Sequence, residues 1–280
     1  FSQEGVQEVS NGSFSQEGVE KITNGDFATD TDWVKGTGWS ISGGSANCDG
    51  TQAGWSTTYQ DIGVPAGTFV KLTFTLSNYN SGNIYVTTGS GDPSTPTNQN
   101  GTYTFYKKMI GNSKIQLKGD VNFIGSIDNI SVVIVGQDWT LGTGWSIGDE
   151  VANAINQGSS SNLRQSGIIQ QGKIYKVIFT ISNYVTGAAQ PLVGGISTLG
   201  DGTPRSGNGT YTEYITSDGT NFYIRGASFT GSITNISVKE VGQDWTTTDS
   251  DANNYVEFGD GTARLKFLNT SPLTKFTSTA

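Results

Sequence analysis

One long period runs through the chain. Trp33, Trp139 and Trp245 each follow an Asp and stand 106 residues apart. The first two copies also share the run Gly-Thr-Gly-Trp-Ser-Ile, at residues 36–41 and 142–147. This period is a domain length, because stacked solenoid repeats have periods of about 20–50 residues. The chain is therefore predicted to be a string of similar domains, which favours reach and repeated contact over catalysis.

Alternating apolar residues predict an all-β fold. Val70, Leu72, Phe74 and Leu76 alternate with polar residues, and residues 175–181 repeat the alternation in the second copy. A period of two residues indicates strands with one buried and one solvated face. The intervening segments are rich in Gly, Asn, Asp and Ser, as turns are. We predict tandem antiparallel β-sandwich (jelly-roll) domains, held in a semi-rigid array by junctions of only a few residues.

The repeats also predict the domain boundaries. Phe1–Val6 recurs as Phe14–Val19, and this duplication is expected to be a linker or a strand and turn that leads into the first domain. The predicted segments are a duplicated linker or strand segment at 1–26, a first sandwich repeat at 27–135, a second at 136–241, and an incomplete or partner-completed third repeat at 242–280.

Composition excludes several function classes. The net charge is −8, whereas nucleic acids and anionic membrane surfaces attract basic proteins. No apolar run is long enough to span a bilayer. The chain has no His, which excludes a Ser-His-Asp triad and His-ligated metals, and its carboxylates fall mostly in turns. We predict that the protein is not an enzyme. Cys48 has no disulfide partner and is expected to be a small buried residue.

The edges of the first unit carry family-like motifs. Asn24–Phe27, Trp33, Trp39 and the closing Ile127–Val132 resemble jelly-roll carbohydrate-binding modules, whose units begin near NGxFE…W and end near IDDVSV. The resemblance extends over both full units. It implies β-sandwiches that bind glycans, and in many members a structural calcium ion near the first and last strands.

The chain departs from that pattern where calcium would bind. Ala28 stands in place of the family's acid, and Thr234 of the second unit replaces Asp128 of the first. The second unit also begins at Asp138 without the opening Asn-Gly-Asp-Phe. Calcium prefers six to eight oxygen ligands. Asp128 is therefore the one calcium candidate that the resemblance implies, and no other cofactor is predicted.

The tandem copies also resemble, in style, the repeated modules of bacteriophage virion proteins such as tail fibres, capsid fibres and decoration proteins. The leading hypothesis is a non-enzymatic virion structural protein, a fibre, spike or decoration element, located on the virion or outside the cell. Its expected partners are other virion proteins or copies of itself, together with a cell-surface glycan. The alternatives are a secreted bacterial carbohydrate-binding or adhesin array and a self-assembling surface filament.

Aromatic residues found in one copy only are the binding candidates. A position that accepts a polar residue in the sister domain is expected to be exposed. An aromatic exposed in this way contacts a glycan, contacts a protein neighbour or has no special role. Such positions pair Trp55 with Ser160, Tyr59 with Arg164, Tyr85 with Gln190, and Phe105 with Glu213. In the second unit, Arg164, Arg205 and Arg225 are expected to supply polar contacts. Aromatics shared by both copies, such as Trp33 and Trp139, are expected to pack.

Overall fold

Strands joined by turns form the described chain. The computed structural model describes residues 4–90, 95–155, 160–195 and 197–242, with the backbone of short strands between 245 and 278. Within these residues it has no α-helix and a single 3₁₀ turn at Thr198–Gly200. No helix in the described part is long and apolar enough to cross a membrane. The predicted all-β class is confirmed.

The chain divides into two compact units. The first module comprises Ser15–Gln137 with Ile147–Asp149. The second module comprises Phe1–Phe14, Asp138–Ser146 and Glu150–Ala280. The N-terminal residues are thus shared between the two units, the first copy of the duplicated segment going with the second module and the second copy with the first module.

The strands up to residue 135 are β1 (Glu4–Gln7), β2 (Glu17–Glu20), β3 (Trp39–Ser42), β4 (Ser45–Asp49), β5 (Ser56–Asp61), β6 (Phe69–Ser81), β7 (Ile84–Thr88), β8 (Pro96–Thr97), β9 (Gly101–Lys108), β10 (Lys114–Gly119) and β11 (Ile124–Val135). The later strands are β12 (Thr140–Leu141), β13 (Trp145–Gly148), β14 (Val151–Ala154), β15 (Ser160–Gln165), β16 (Ile174–Gly194), β17 (Gly209–Thr216), β18 (Asn221–Val241), β19 (Trp245–Thr247), β20 (Asn254–Gly259), β21 (Thr262–Phe267) and β22 (Phe276–Ser278).

The first module is a sandwich of two antiparallel sheets. One sheet has the order β5-β10-β7-β8, and the other has the order β3-β4-β11-β6-β9 with β2 added on β11. In the second module β16 and β18 are long enough to run through both layers. They pair with each other on either side of register shifts near Thr186. These arrangements confirm the predicted antiparallel sandwich.

The predicted alternation produces the cores. Leu72 and Phe74 on β6 are fully buried, as are their counterparts Val177 and Phe179 on β16. The intervening residues are partly exposed. Fully burying each large apolar side chain contributes roughly 1.5–3 kcal/mol. The shared aromatics also pack as predicted, since Trp33 and its counterpart Trp139 are each only 6% exposed.

A β-bulge interrupts the closing strand of each module. Asn129 in β11 has φ 51°, and Asn235 in β18 has φ 52°. Asn tolerates this left-handed conformation better than most residues. The extra residue changes the phase of the strand, so that Ile127 and Ile130 both lie in the core although they are three residues apart.

Each copy of the duplicated segment provides a strand to a different module. β2 pairs with β11, with Glu20 opposite Val133. β1 pairs with β18, with Gln7 opposite Lys239. The sequence suggested that both copies lead into the first domain. The first copy instead pairs within the second module. It belongs to the same compact unit as the segment that begins at Asp138.

The Asn-Gly turns that end the two copies dock in the same way. The Trp139 Nε1–H donates to the carbonyl of Asn11 at 3.1 Å, and the Trp33 Nε1–H donates to the carbonyl of Asn24 at 3.2 Å. The ring of Phe14 lies 5.3 Å from that of Trp139. Asn11–Phe14 thus occupies the place of the opening motif that the second unit lacks in its own continuous sequence.

Candidate functional site

The outer face of the β5-β10-β7-β8 sheet carries the side chains that do not serve the core. In β5, Thr58 and Gln60 are buried, whereas Tyr59 and Asp61 lie on the opposite face. Successive side chains of a strand point to opposite faces, so these last two face outward. The same alternation directs Tyr85 outward from β7.

Strand register gathers three of the predicted candidates on this face. Lys118 of β10 lies opposite both Thr57 of β5 and Tyr85 of β7. Trp55 immediately precedes β5, and its ring centroid is 5.2 Å from that of Tyr85. Tyr59 is two residues further along the same face of β5 as Thr57. We call Trp55, Tyr59 and Tyr85 the aromatic face.

The aromatic face is open at one end. Trp55 is 58% exposed, whereas Tyr59 and Tyr85 are half-buried. Val34, which is 54% exposed, forms an isolated antiparallel bridge with Tyr59 and therefore lies on the same face. Exposed apolar side chains grouped in this way mark a binding surface more often than scattered ones do.

Two lysines that the sequence reasoning missed complete the face. The Lys118 ammonium lies 4.6 Å from the centroid of the Trp55 ring, and the Lys114 ammonium lies 4.0 Å from that of Tyr59. Such cation–π contacts contribute about 0.5–1 kcal/mol each at exposed sites. They hold the rings in place and put hydrogen-bond donors beside them. Alternating Lys on a strand ordinarily indicates a solvated face, so only the register could have revealed the contacts.

Asp61 is the acidic side chain at the end of β5 on this face. Its carboxylate accepts hydrogen bonds from the Ser113 hydroxyl at 2.5 Å and the Gly63 amide at 3.1 Å. These bonds, that from Ser113 foremost, lower the pKa of Asp61. A general acid needs a raised pKa. Asp61 is therefore suited to accept hydrogen bonds from a ligand and not to donate a proton.

The equivalent face of the second module has different chemistry. Arg164 of β15 lies opposite Tyr223 of β18, as Tyr59 lies opposite Gln116 in the first module. Arg225 takes the place of Lys118, because it lies opposite Gln190 as Lys118 lies opposite Tyr85. The second module therefore presents guanidinium groups where the first presents aromatic rings and ammonium groups.

Phe105 and Arg205, the remaining predicted candidates, differ from the others in what they contact. Phe105 lies on β9 of the other sheet, is half-buried and packs against the core, with its ring 6.0 Å from that of Phe74. It is half-buried like Tyr59 and Tyr85, but it covers the edge of the core on the other sheet. Arg205 forms a 2.9 Å ion pair with Glu213 and lies 4.9 Å over the ring of Tyr211.

Both carboxylate oxygens of Asp128, the predicted calcium candidate, accept hydrogen bonds from Asn129. One carboxylate oxygen accepts from the Asn129 backbone amide at 2.6 Å, and the other accepts from the Asn129 side chain at 3.0 Å. Within the described residues, no group of three or more His, Cys, Asp or Glu side chains could hold a metal. A calcium ion at Asp128 would therefore need backbone or amide oxygens as most of its ligands, and the site stays a prediction.

Comparisons with known proteins give remote structural likenesses only. No family model and no curated protein matches the chain. The CBM22-1–CBM22-2 tandem domain of Paenibacillus barcinonensis Xyn10C is 8% identical, with a TM-score of 0.32 over 81% of this chain and 98% of that one. Saccharomyces cerevisiae allantoicase is 9% identical, with a TM-score of 0.29 over 68% and 78%. Paenibacillus xanthan lyase is 15% identical, with a TM-score of 0.25 over 76% and 25%.

Proposed function

We propose that this protein binds glycans without transforming them, and that the aromatic face of the first module is the binding surface. The observation that carries the proposal is the grouping of Trp55, Tyr59 and Tyr85 on one sheet face, with Trp55 58% exposed. An exposed Trp is costly in water unless a ligand or neighbour covers it. The ring faces offer apolar contact to the C–H surfaces of a sugar.

Polar groups around the rings supply the remaining contacts. The ammonium groups of Lys114 and Lys118 donate hydrogen bonds, and the carboxylate of Asp61 accepts them. Sugar hydroxyls need both kinds of partner. Glycoside hydrolysis usually requires two carboxylates, one of them a general acid with a raised pKa. Asp61 has a lowered pKa, which supports binding and not hydrolysis as the role of this face.

A set of matched substitutions tests this proposal. Trp55→Ala and Tyr85→Ala should each weaken binding to a polysaccharide that the native protein retains, by about tenfold or more, since a central aromatic typically contributes at least 1.4–2 kcal/mol. Val19→Ala is the control, because Val19 is 72% exposed on β2 and lies outside the face. Affinity electrophoresis followed by calorimetry measures the change. Unchanged binding in both aromatic variants would reject the proposal.

We also propose, as the second candidate, that the modules serve as a fibre, spike or decoration element of a virus particle, with other virion proteins or further copies as neighbours. What supports it is an exposed apolar residue at the same place in each module, Val6 on β1 and Val19 on β2, 77% and 72% exposed. In the described part of the chain, β1 pairs only with β18 and β2 only with β11. The free edge of such a strand can be extended by a neighbouring chain. Sedimentation and electron microscopy of untreated source material provide the test. Megadalton particles with the protein at symmetric positions support it, and a free monomer contradicts it.

A further inference from the structure

The second module contains a cavity at the position that corresponds to the aromatic face. Its volume is about 400 Å³, and its lining includes Thr140, Thr143, Ser161, Asn162, Arg164 and Tyr223. Pockets for small molecules in proteins have volumes of about 300–1,000 Å³. The cavity is therefore large enough to take part of a small molecule or one end of an oligomer.

Two polar groups in the cavity have no hydrogen-bond partner among the described residues. The Arg164 Nε and the Ser161 Oγ are buried, and neither makes a hydrogen bond with the described residues. In the first module, the corresponding Ser56 hydroxyl donates to the Thr37 carbonyl at 2.6 Å. A buried donor without an acceptor costs about 1–3 kcal/mol. The first module thus satisfies this position internally, whereas the second leaves it open to a ligand.

Arg164 also differs from the other arginines on this part of the module. Arg205 is paired with Glu213 at 2.9 Å, and Arg225 lies 3.9 Å from Asp201. Arg164 forms no ion pair with a described residue, and no acidic side chain lines the cavity. An unpaired guanidinium is notable in a chain with a net charge of −8. Its complement is an anion, which a bound ligand would supply.

The chemistry of the lining narrows that anion. A guanidinium is a planar fork that binds a carboxylate through two parallel hydrogen bonds, and its single charge balances a single negative charge. The Thr140, Thr143 and Ser161 hydroxyls and the Asn162 amide can each donate or accept. The Tyr223 ring adds an apolar wall. A ligand that has one carboxylate and several hydroxyls uses all of these groups.

We infer that the Arg164 cavity of the second module binds the carboxylate of an acidic sugar, of the uronic acid class, within a glycan. The choice of a sugar rests on the proposed function, because the cavity and the aromatic face occupy corresponding places in the two modules. The choice of an anion rests on Arg164 itself. The first module then contributes stacking to the polymer, and the second module contributes charge selectivity.

The test compares a glucuronate-containing oligosaccharide with the same oligosaccharide after reduction of its carboxyl groups, by calorimetry on the full chain. The native protein should bind the acidic form more tightly, and Arg164→Gln should lower its affinity roughly 10- to 100-fold, the value of a charged hydrogen bond. The variant should then bind the acidic oligosaccharide no more tightly than the native protein binds the carboxyl-reduced one. Lys173→Gln is the matched control and should change the affinity little, because Lys173 pairs with Glu240 at 3.0 Å in the same module and lies outside the lining of the cavity.

Three results would overturn the inference. These are equal binding of the two oligosaccharides, equal losses in the Arg164→Gln and Lys173→Gln variants, and tighter binding of a sulfated oligosaccharide than of the carboxylated one. If Arg164→Gln does not fold, Arg164→Lys keeps the charge without the fork and should still lose most of the preference. Trp55→Ala separates the two proposals, since it should weaken the neutral oligosaccharide and leave the preference for the acidic one. A Trp55→Ala variant without effect counts against the proposed function alone.

Discussion

Substitution of Phe14 tests whether the N-terminal segment belongs to the second module. The residue stands near the N-terminus, yet its side chain is 2% exposed and packs 5.3 Å from Trp139. Phe14→Ala removes a buried ring, which costs about 3–5 kcal/mol. For a domain of about 100 residues, roughly 4 °C is lost per kcal/mol, so the second module should melt about 10–20 °C lower. The first module should be unaffected.

Differential scanning calorimetry with hydrogen-exchange mass spectrometry measures this effect. Exchange should accelerate in peptides from β15 to β18 and stay unchanged in peptides from β3 to β11. Phe27→Ala is the matched control, because Phe27 is 1% exposed and lies 5.2 Å from Trp33 in the first module. It should produce the opposite pattern. If Phe14→Ala left the second module's stability unchanged, or destabilised the first module, the assignment of Asn11–Phe14 to the second module would be refuted.

Three further predictions concern the same architecture. Gly12→Ala should destabilise the second module in calorimetry, because an added Cβ would lie 2.0 Å from the carbonyl oxygen of Ile236. The Glu4 side chain accepts hydrogen bonds from Lys176 and from a second lysine, which lower its pKa below 4.5. The stability from this contact is present above pH 4.5 and is lost as the pH falls through the lowered pKa, so exchange of the β1 amides should increase in acid relative to β2. Cys48 is 3% exposed, and burial raises the pKa of its thiol. Native protein should therefore resist thiol reagents until the first module unfolds, and rapid labelling at neutral pH would contradict its burial.

Local patterns account for most of the fold. The alternation in β6 and β16, the Gly- and Asn-rich turns and the apolar closing strands each act over a few residues, so the sequence alone reveals them. The strand with which β1 pairs is not revealed by local patterns. The two copies of the duplicated segment are nearly identical, so either could fit either module on local grounds. Only the three-dimensional contacts, such as Trp139 with Asn11, show that the first copy belongs to the second module.

The site was predictable to a similar degree. Comparing the two repeats singled out Trp55, Tyr59 and Tyr85 as candidates, and the structure places them on one outward face. Their role in binding stays a prediction. The same comparison also selected Phe105, which lies on the other sheet and packs against the core, because an aromatic that appears in one copy can also cover the edge of a core. The lysines beside the rings and the open position of Ser161 could not be predicted, since each depends on register or on a missing hydrogen bond.

Mapping a bound oligosaccharide on the native protein shows whether the protein binds glycans and where. Hydrogen exchange should be measured with and without a saturating oligosaccharide taken from a polysaccharide that the protein retains. Binding at the aromatic face should slow exchange in β5, β7 and β10 of the first module, around Trp55 and Tyr85. Protection confined to β3, β4 and β9, or no protection by any retained glycan, would contradict it.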